Sequence, residues 1–387
     1  MLISAIALAL PAGSECASVA HTKTLSIAVE NDLVIIPVRI NGLKRSFRFV
    51  LDTGAEITTL DARISRALGL PRGEDIDVLT VGAQGTVPTV RIQTLQFGPI
   101  QVGPMSVAGY DLEGLSGGVD SKIDGVLGID VLRQVRFTID FGKRELSFGE
   151  TIQLNSLSSA TRIPVRQGAG GYLVPVVLNG SDHIELLLDT GTNLTQLPAE
   201  VWKQLTNDWR PRRILCGAAS TGNVESTACF ARLDSMNLES IKIESAVVRF
   251  QKNQKTGVFS EPNAVGLMGT DILKRFVVTV DFSNGEVFLT PSSTYQADTS
   301  EYTTVGIQFL KRAGAYFVAS TWEGSPAEVA GVQRGDEIVT IQGRPAITLS
   351  NVGLHNLLHG APDSRVKLTL RRARKLKSYE LVRKPLL

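Results

Sequence analysis

The chain repeats itself, and the repeat fixes most of what it can fold into. Val34-Ile35-Ile36-Pro37-Val38-Arg39-Ile40-Asn41-Gly42 recurs as Tyr172-Leu173-Val174-Pro175-Val176-Val177-Leu178-Asn179-Gly180. Asn-Gly after such an apolar run is the strongest short-range hairpin signal. In each copy the returning run ends in one tripeptide. Asp52-Thr53-Gly54 follows Phe49-Val50-Leu51, and Asp189-Thr190-Gly191 follows Leu186-Leu187-Leu188. Later, Gly125-Val126-Leu127-Gly128-Ile129-Asp130 matches Gly266-Leu267-Met268-Gly269-Thr270-Asp271, and Phe137-Thr138-Ile139-Asp140-Phe141 matches Val278-Thr279-Val280-Asp281-Phe282. The offset is 137 residues between Asp52 and Asp189 and 141 between Gly128 and Gly269. A few inserted loop residues explain that drift. Two copies of one mainly β unit are expected.

A carboxylate placed after a buried apolar run is costly to desolvate unless it has partners. Two such carboxylates on equivalent strands can partner each other by sharing one proton, since like charges about 3 Å apart cannot both ionise. One then acts as base while the other stays protonated, an arrangement that activates a water. A single Asp-Thr-Gly would read as a strand-to-turn corner with glycine at positive φ; the duplication argues against that.

These residues resemble the retropepsin-like and pepsin-like aspartic proteases, whose lobes each carry Asp-Thr-Gly and later two apolar residues and a glycine, here Val126-Leu127-Gly128 and Leu267-Met268-Gly269. The resemblance covers residues 30–292. It implies a bilobal β fold with lobe 1 at 30–150 and lobe 2 at 163–292, an endopeptidase activity, and Asp52 and Asp189 as its catalytic pair. It implies that Thr53 and Thr190 cross-bond beneath the pair, and that Gly54 and Gly191 permit a tight turn beside each carboxylate. Thr192 can donate toward Asp189, whereas Ala55 cannot do so for Asp52; mildly acidic activity is expected. The hairpin at 81–90 is expected to be the flap, with a mobile tip at Gly82, Ala83, Gln84, Gly85 and Thr86 and no flap tyrosine. A non-catalytic peptide-binding or scaffold protein on the same fold is the alternative, and two intact tripeptides argue against it.

Asp61 could cap a short helix over 62–68, and Pro198 suits the first turn of its counterpart, which runs to Leu205. Pairing across a turn at Gly222-Asn223 sets Cys216 directly opposite Cys229, which permits a cross-strand disulfide. Residues 2–10 are apolar and Ser18-Val19-Ala20 offers small residues, so 1–20 reads as a signal peptide lacking its basic start. Leader and disulfide together predict an exported protein, periplasmic, secreted or associated with the cell envelope. Residues 103–123 read as a surface loop, 151–162 as the linker between lobes, and 291–302 as a domain boundary.

Beyond residue 303 the pattern changes. Gly324-Ser325-Pro326-Ala327, Ala330-Gly331-Val332 and Gly335-Asp336-Glu337-Ile338 resemble a PDZ domain of the bacterial type, a small α+β unit over 303–387. That resemblance makes Gly306, Ile307, Gln308 and Phe309 the carboxylate-binding loop. A C-terminal peptide would add as a strand beside 307–311, opposite a helix over 350–358. The PDZ unit could bind, tether or regulate.

The 387 residues are 43% apolar and 20% charged, which suits two or three soluble domains, and a net charge of +2 does not argue for nucleic acid. Arg371, Arg372, Arg374, Lys375 and Lys377 read as a strand end and exposed turn. The four histidines are scattered, so no metal and no cofactor is expected. Nothing in the mature chain is long and apolar enough for a membrane helix. The expected partners are a peptide or unfolded-protein substrate and a PDZ ligand, with the chain a monomer.

Overall fold

The computed structural model describes residues 6–7, 23–80, 84–112, 119, 121–149, 159–209, 211, 213–221, 224–252, 257–260, 264–296 and 302–387. Each copy of the repeat is a β-rich lobe. In lobe 1, Leu33–Ile40 turns back through Asn41 (φ 50°) and Gly42 (φ 69°) into Phe47–Leu51. In lobe 2, Gly171–Leu178 turns through Asn179 (φ 50°) and Gly180 (φ 82°) into Asp182–Leu188. Left-handed backbone at two successive positions is what Asn-Gly supplies cheaply.

The strand that ends in the tripeptide lies parallel to the later apolar triplet. Phe49, Val50 and Leu51 run beside Gly125, Val126 and Leu127; Leu186, Leu187 and Leu188 run beside Gly266, Leu267 and Met268. Strands buried on both faces read as continuous apolar runs, as these do. From there outward the strand order is the same in both lobes. Next come Thr59–Asp61 or Gln196–Leu197, then Met105–Tyr110 or Val247–Lys252, then an outer hairpin. That hairpin is Arg72–Leu79 with Gln84–Ile92 in lobe 1, and Ile214–Thr221 with Val224–Arg232 in lobe 2. Ile6–Ala7 pairs with Val78 and Leu79 on the lobe 1 hairpin's outer edge.

A six-stranded sheet joins the lobes. Phe137–Asp140 lies antiparallel to Phe276–Asp281, with Phe137 opposite Val280 and Asp140 opposite Val277. The Thr138 and Thr279 hydroxyls meet at 2.8 Å, and Arg136 pairs with Asp281. Phe47, Leu127, Ile139, Val280, Leu188 and Met268 belong to a single buried cluster, so the lobes share a core.

Several expectations shift by a few residues. Asp61 does cap the first helix, Ala62–Ala67, its Oδ1 accepting from Arg63 N at 2.8 Å. Pro198 is itself the cap of the second rather than a first-turn residue, and that helix, Ala199–Asp208, outlasts Leu205. Thr161–Pro164 pairs with Glu286–Pro291, so the end of the segment expected as a linker belongs to the shared sheet. Leu79 pairs with Gln84, which puts Gln84, Gly85 and Thr86 in the returning strand of the hairpin and not at its tip. Thr86 Oγ1 donates to Asp77 at 2.7 Å there. Gly82 and Ala83 lie outside the described residues.

The C-terminal unit is a sheet in the order Ile307–Arg312, Ala315–Thr321, Glu337–Ile341, Arg365–Arg372, Lys375–Val382, with helix Asn351–Leu358 packed on it. Arg371 pairs with Glu337 at 2.6 Å and Arg372 clamps Asp336 through two bonds of 2.6 Å, so these two cations serve the unit's own carboxylates. The unit docks on the outer hairpin of lobe 2. Trp322 meets Phe230 edge-on at 5.1 Å, with Leu215, Ala228 and Leu386 closing the cluster, and Glu323 N donates to Cys216 O at 3.3 Å. Among the described residues no helix is long and apolar enough to cross a membrane.

Candidate active site

The two tripeptides meet at the seam between the lobes. Asp52 and Asp189 are both buried, at 0% and 1% exposure. Asp52 Oδ1 accepts from Gly54 N at 2.9 Å, and Asp189 Oδ1 accepts from Gly191 N at 2.8 Å. The threonines interlock beneath. Thr53 N donates to Thr190 Oγ1 and Thr190 N to Thr53 Oγ1, each at 3.1 Å. Thr53 Oγ1 donates across to Leu188 O at 2.6 Å, and Thr190 Oγ1 to Leu51 O at 2.8 Å. Every polar atom of these two side chains is therefore spent on the opposite lobe.

The glycines stand in the tight turn beside each carboxylate, as expected, and a second reason for them lies across the seam. Neither Gly54 nor Gly191 adopts a positive φ. A Cβ on Gly54 would lie 2.6 Å from the Asp189 carboxyl carbon, and one on Gly191 would strike the Asp52 carboxyl group. Glycine here makes room for the other lobe's carboxylate. Thr192 departs from expectation. Its hydroxyl donates to Leu194 O at 3.3 Å and accepts from Gln196 Nε2 at 3.3 Å, so it steadies its own loop instead of donating to Asp189.

Burial pushes the Asp52 carboxyl well above its ordinary value, the adjacent Asp189 charge adds to the rise, and the Gly54 amide opposes it. Asp52 Oδ2 is buried with no donor among the described residues, a situation that a proton shared between the carboxyls relieves.

A further pair of carboxylates, absent from the sequence reading of the site, fixes the loops after each tripeptide. Thr58 and Thr195 stand six residues beyond Asp52 and Asp189. Asp130 accepts from Thr58 N at 3.0 Å and Thr58 Oγ1 at 2.7 Å; Asp271 accepts from Thr195 Oγ1 at 2.8 Å. Those hydroxyls accept in turn from Gly128 N at 3.1 Å and Gly269 N at 3.2 Å. The common spacing of the two threonines was the available signal. Burial raises Asp130 to about 6 against the lowering effect of the Thr58 donors.

The lobe 1 hairpin reaches over to lobe 2. Val258 N donates to Thr80 O at 2.9 Å, and Leu79 packs against Leu173, Leu187, Val258 and Leu267. Beneath it, Ala55, Val78, Ala108, Tyr110, Leu112 and Val126 line an apolar pocket. In the outer hairpin of lobe 2, Cys216 and Cys229 face each other and form a disulfide. No group of side chains suited to hold a metal occurs among the described residues.

In the C-terminal unit, Gly306 takes φ 83°, its N–H donating to Thr304 Oγ1 at 3.2 Å and its carbonyl accepting from Trp322 N at 2.9 Å. Ile307, Gln308 and Phe309 open the strand at the edge of the sheet, and Ile307 shares a core with Leu354 and Leu358 of the helix. Gln308 Oε1 accepts from Ser320 Oγ at 2.5 Å.

Two lobes, each bringing an Asp-Thr-Gly to a common seam, define the bilobal fold of an aspartic protease. The profile described as aspartyl protease matches residues 36–131 and 174–272, half of the chain, and the protein belongs to that family. A PDZ domain profile matches residues 317–372. Comparison with curated proteins gave no match. Among solved structures, a photosystem II D1 C-terminal processing protease is 28% identical over 22% of this chain and 24% of its own, with a TM-score of 0.21. The chain thus spans less than a quarter of that protein. The aspartic proteinase of Irpex lacteus is 14% identical over 72% of this chain and 99% of its own, with a TM-score of 0.44. Basic 7S globulin from soybean is 11% identical over 72% of this chain and 100% of its own, with a TM-score of 0.43.

Proposed function

We propose that the protein is an aspartic endopeptidase that hydrolyses peptide bonds with a water held between Asp52 and Asp189. The observation that carries this reading is the symmetry of the pair: two buried carboxylates, each against the other lobe's glycine and gripped from below by crossed threonines. The pair holds one proton, carried by Asp52, whose surroundings disfavour its charge. Asp189 removes a proton from the water, the hydroxide adds to the scissile carbonyl carbon, and Asp52 passes its proton to the carbonyl oxygen. When the tetrahedral intermediate collapses, Asp52 recovers a proton from it, Asp189 protonates the departing amine, and the C–N bond breaks.

The PDZ domain supplies a second peptide site in this reading. Its edge strand from Ile307 offers backbone pairing to an extended peptide, and the Gly306–Phe309 segment would receive a terminal carboxylate. The Cys216–Cys229 disulfide and the apolar leader support action in an exported, oxidising compartment. The test is digestion of a diverse peptide library across pH by the wild type and by Asp52→Asn. Cleavage by the wild type alone is expected; cleavage by both would sink the assignment.

A further inference from the structure

The two walls of the cleft share one register but not one chemistry. In lobe 1 a row runs across four strands: Val50, Val126, Thr59, Ala108. In lobe 2 the matching row is Leu187, Leu267, Gln196, Arg249. Val50 precedes Asp52 by two residues and Leu187 precedes Asp189 by two, so each row lies on the face of its sheet that carries the catalytic carboxylate. The lobe 1 row leads into the apolar pocket, where Val126 and Ala108 lie with Tyr110. Arg249 occupies the position of Ala108, and Gln251, two residues on, that of Tyr110.

Arg249 is 9% exposed and Gln251 5%. Among the described residues the Arg249 guanidinium has no carboxylate; its Nη1 donates to Gln196 Oε1 at 3.3 Å. Gln196 Nε2 in turn donates to Thr192 Oγ1, which ties the arginine to the loop that leaves Asp189. Gln251 Nε2 is buried without an acceptor among the described residues. A buried cation lacking a counterion carries an unrecovered desolvation cost, and an unpaired buried amide adds to it. Both groups donate, and both lie on the face that Leu267 shares with Leu79 of the lobe 1 hairpin. What relieves them together is an acceptor bearing negative charge, delivered from the cleft.

The geometry points to Arg249 as a specificity-determining residue: the lobe 2 wall takes an aspartate or glutamate side chain of the substrate, its carboxylate bonded by the Arg249 guanidinium and Gln251 Nε2. This rests on the endopeptidase reading and names its substrate class. The pseudo-twofold relation of the lobes places the two walls on opposite sides of the scissile bond. An apolar residue then lies on the side served by Ala108, and an acidic one on the side served by Arg249.

The test is kinetic, with matched peptides that carry Glu, Gln or Leu at the position facing lobe 2, after a library digest has located that position. Wild type is expected to prefer Glu over its isostere Gln by roughly 30-fold in kcat/KM, the scale of leaving one member of a buried charged pair unmatched. Arg249→Met, which keeps the bulk and removes the charge, is expected to lose that preference: its kcat/KM falls far more on the Glu peptide than on the Gln or Leu peptide, so the Glu-to-Gln ratio drops to about one. The wild-type Glu-to-Gln ratio decides the matter even if the variant does not fold. Cleavage that Asp52→Asn abolishes, but that shows no acidic preference on either side of the bond, overturns the subsite and leaves the endopeptidase. Failure of the wild type to cleave any library peptide overturns the endopeptidase reading, and the subsite with it.

Discussion

Thr53 and Thr190 hold each other's lobes by the backbone: each hydroxyl donates to the carbonyl just before the opposite aspartate, at 2.6 Å to Leu188 O and 2.8 Å to Leu51 O. Each also accepts the other residue's N–H. Replacing Thr53 by Val keeps the shape but leaves Leu188 O and Thr190 N without partners. Two buried groups so orphaned cost about 2–4 kcal/mol. A drop of several degrees in Tm and a large fall in kcat are expected, and Thr53→Ser should restore most of both. Unchanged melting of Thr53→Val would contradict the grip.

The Asp130 carboxyl makes stability depend on pH. Its folded pKa, about 6, lies above the ordinary 3.8, so the folded chain binds this proton more tightly than the unfolded one. The stabilisation is complete below 3.8 and is lost as pH rises through about 6. The full swing is about 3 kcal/mol. Asp130→Asn, which never ionises, should flatten the wild-type decline in unfolding free energy over that window. Parallel curves for the two proteins would rule the assignment out.

Asp52 acts with the same sign. Raised well above 3.8 by burial and by Asp189, it favours folding at low pH and opposes it as its proton is lost. Asp52→Asn should therefore gain on the wild type in unfolding free energy as pH increases, while losing activity throughout. Urea denaturation at matched pH values measures the first effect.

Trp322 is the PDZ domain's main apolar anchor on lobe 2. It lies edge-on to Phe230, and a Cβ added at Gly217 would come within 3.2 Å of its ring. Trp322→Ala removes about 3–5 kcal/mol of packing. The PDZ domain should then melt separately and the segment before it should become open to a probe protease. A single transition, with that segment still protected, would show that other contacts hold the unit.

The Cys216–Cys229 bridge closes a loop with a sequence separation of 13. A cross-link of that span contributes about 3 kcal/mol in the chain-entropy account. Cys216→Ser with Cys229→Ser should lower stability by that order. It should also weaken PDZ docking, because Cys216 O accepts from Glu323 N on the PDZ side. Reductant should reproduce both effects in the wild type and neither in the double variant.

The carboxylate pair and the Asn-Gly hairpins were legible because each depends on spacing, which a repeat displays twice; the facing cysteines followed from one local count across Gly222-Asn223, and the crossed threonines from the family resemblance. The turn at Gly54 and Gly191 was legible, but their second purpose, making room for the opposite carboxylate, was not. A local rule about turns describes one strand, whereas their neighbours are carboxylates more than a hundred residues away. Gln84, Gly85 and Thr86 look like a tip by composition, yet pairing with Leu79, Val78 and Asp77 draws them into the strand. Arg249 was hidden for another reason. Its counterpart, Ala108, shares no chemistry with it, and only strand register identifies the two as one position. The seat of Trp322 against Phe230 and Gly217 joins segments with no common pattern, so nothing in the order of residues announces it.

The six-stranded sheet that welds Phe137–Asp140 to Phe276–Asp281 has a consequence for what the cleft can tell apart. A cleft assembled from two identical subunits must offer the same wall to both halves of its substrate, so a polypeptide threaded either way meets the same surroundings. Fusing the halves into one continuous chain releases each wall to change alone. With alanine on one wall and arginine on the other the two sides are no longer equivalent, and the proposed subsite would give the cleft a sense of direction along a bound polypeptide.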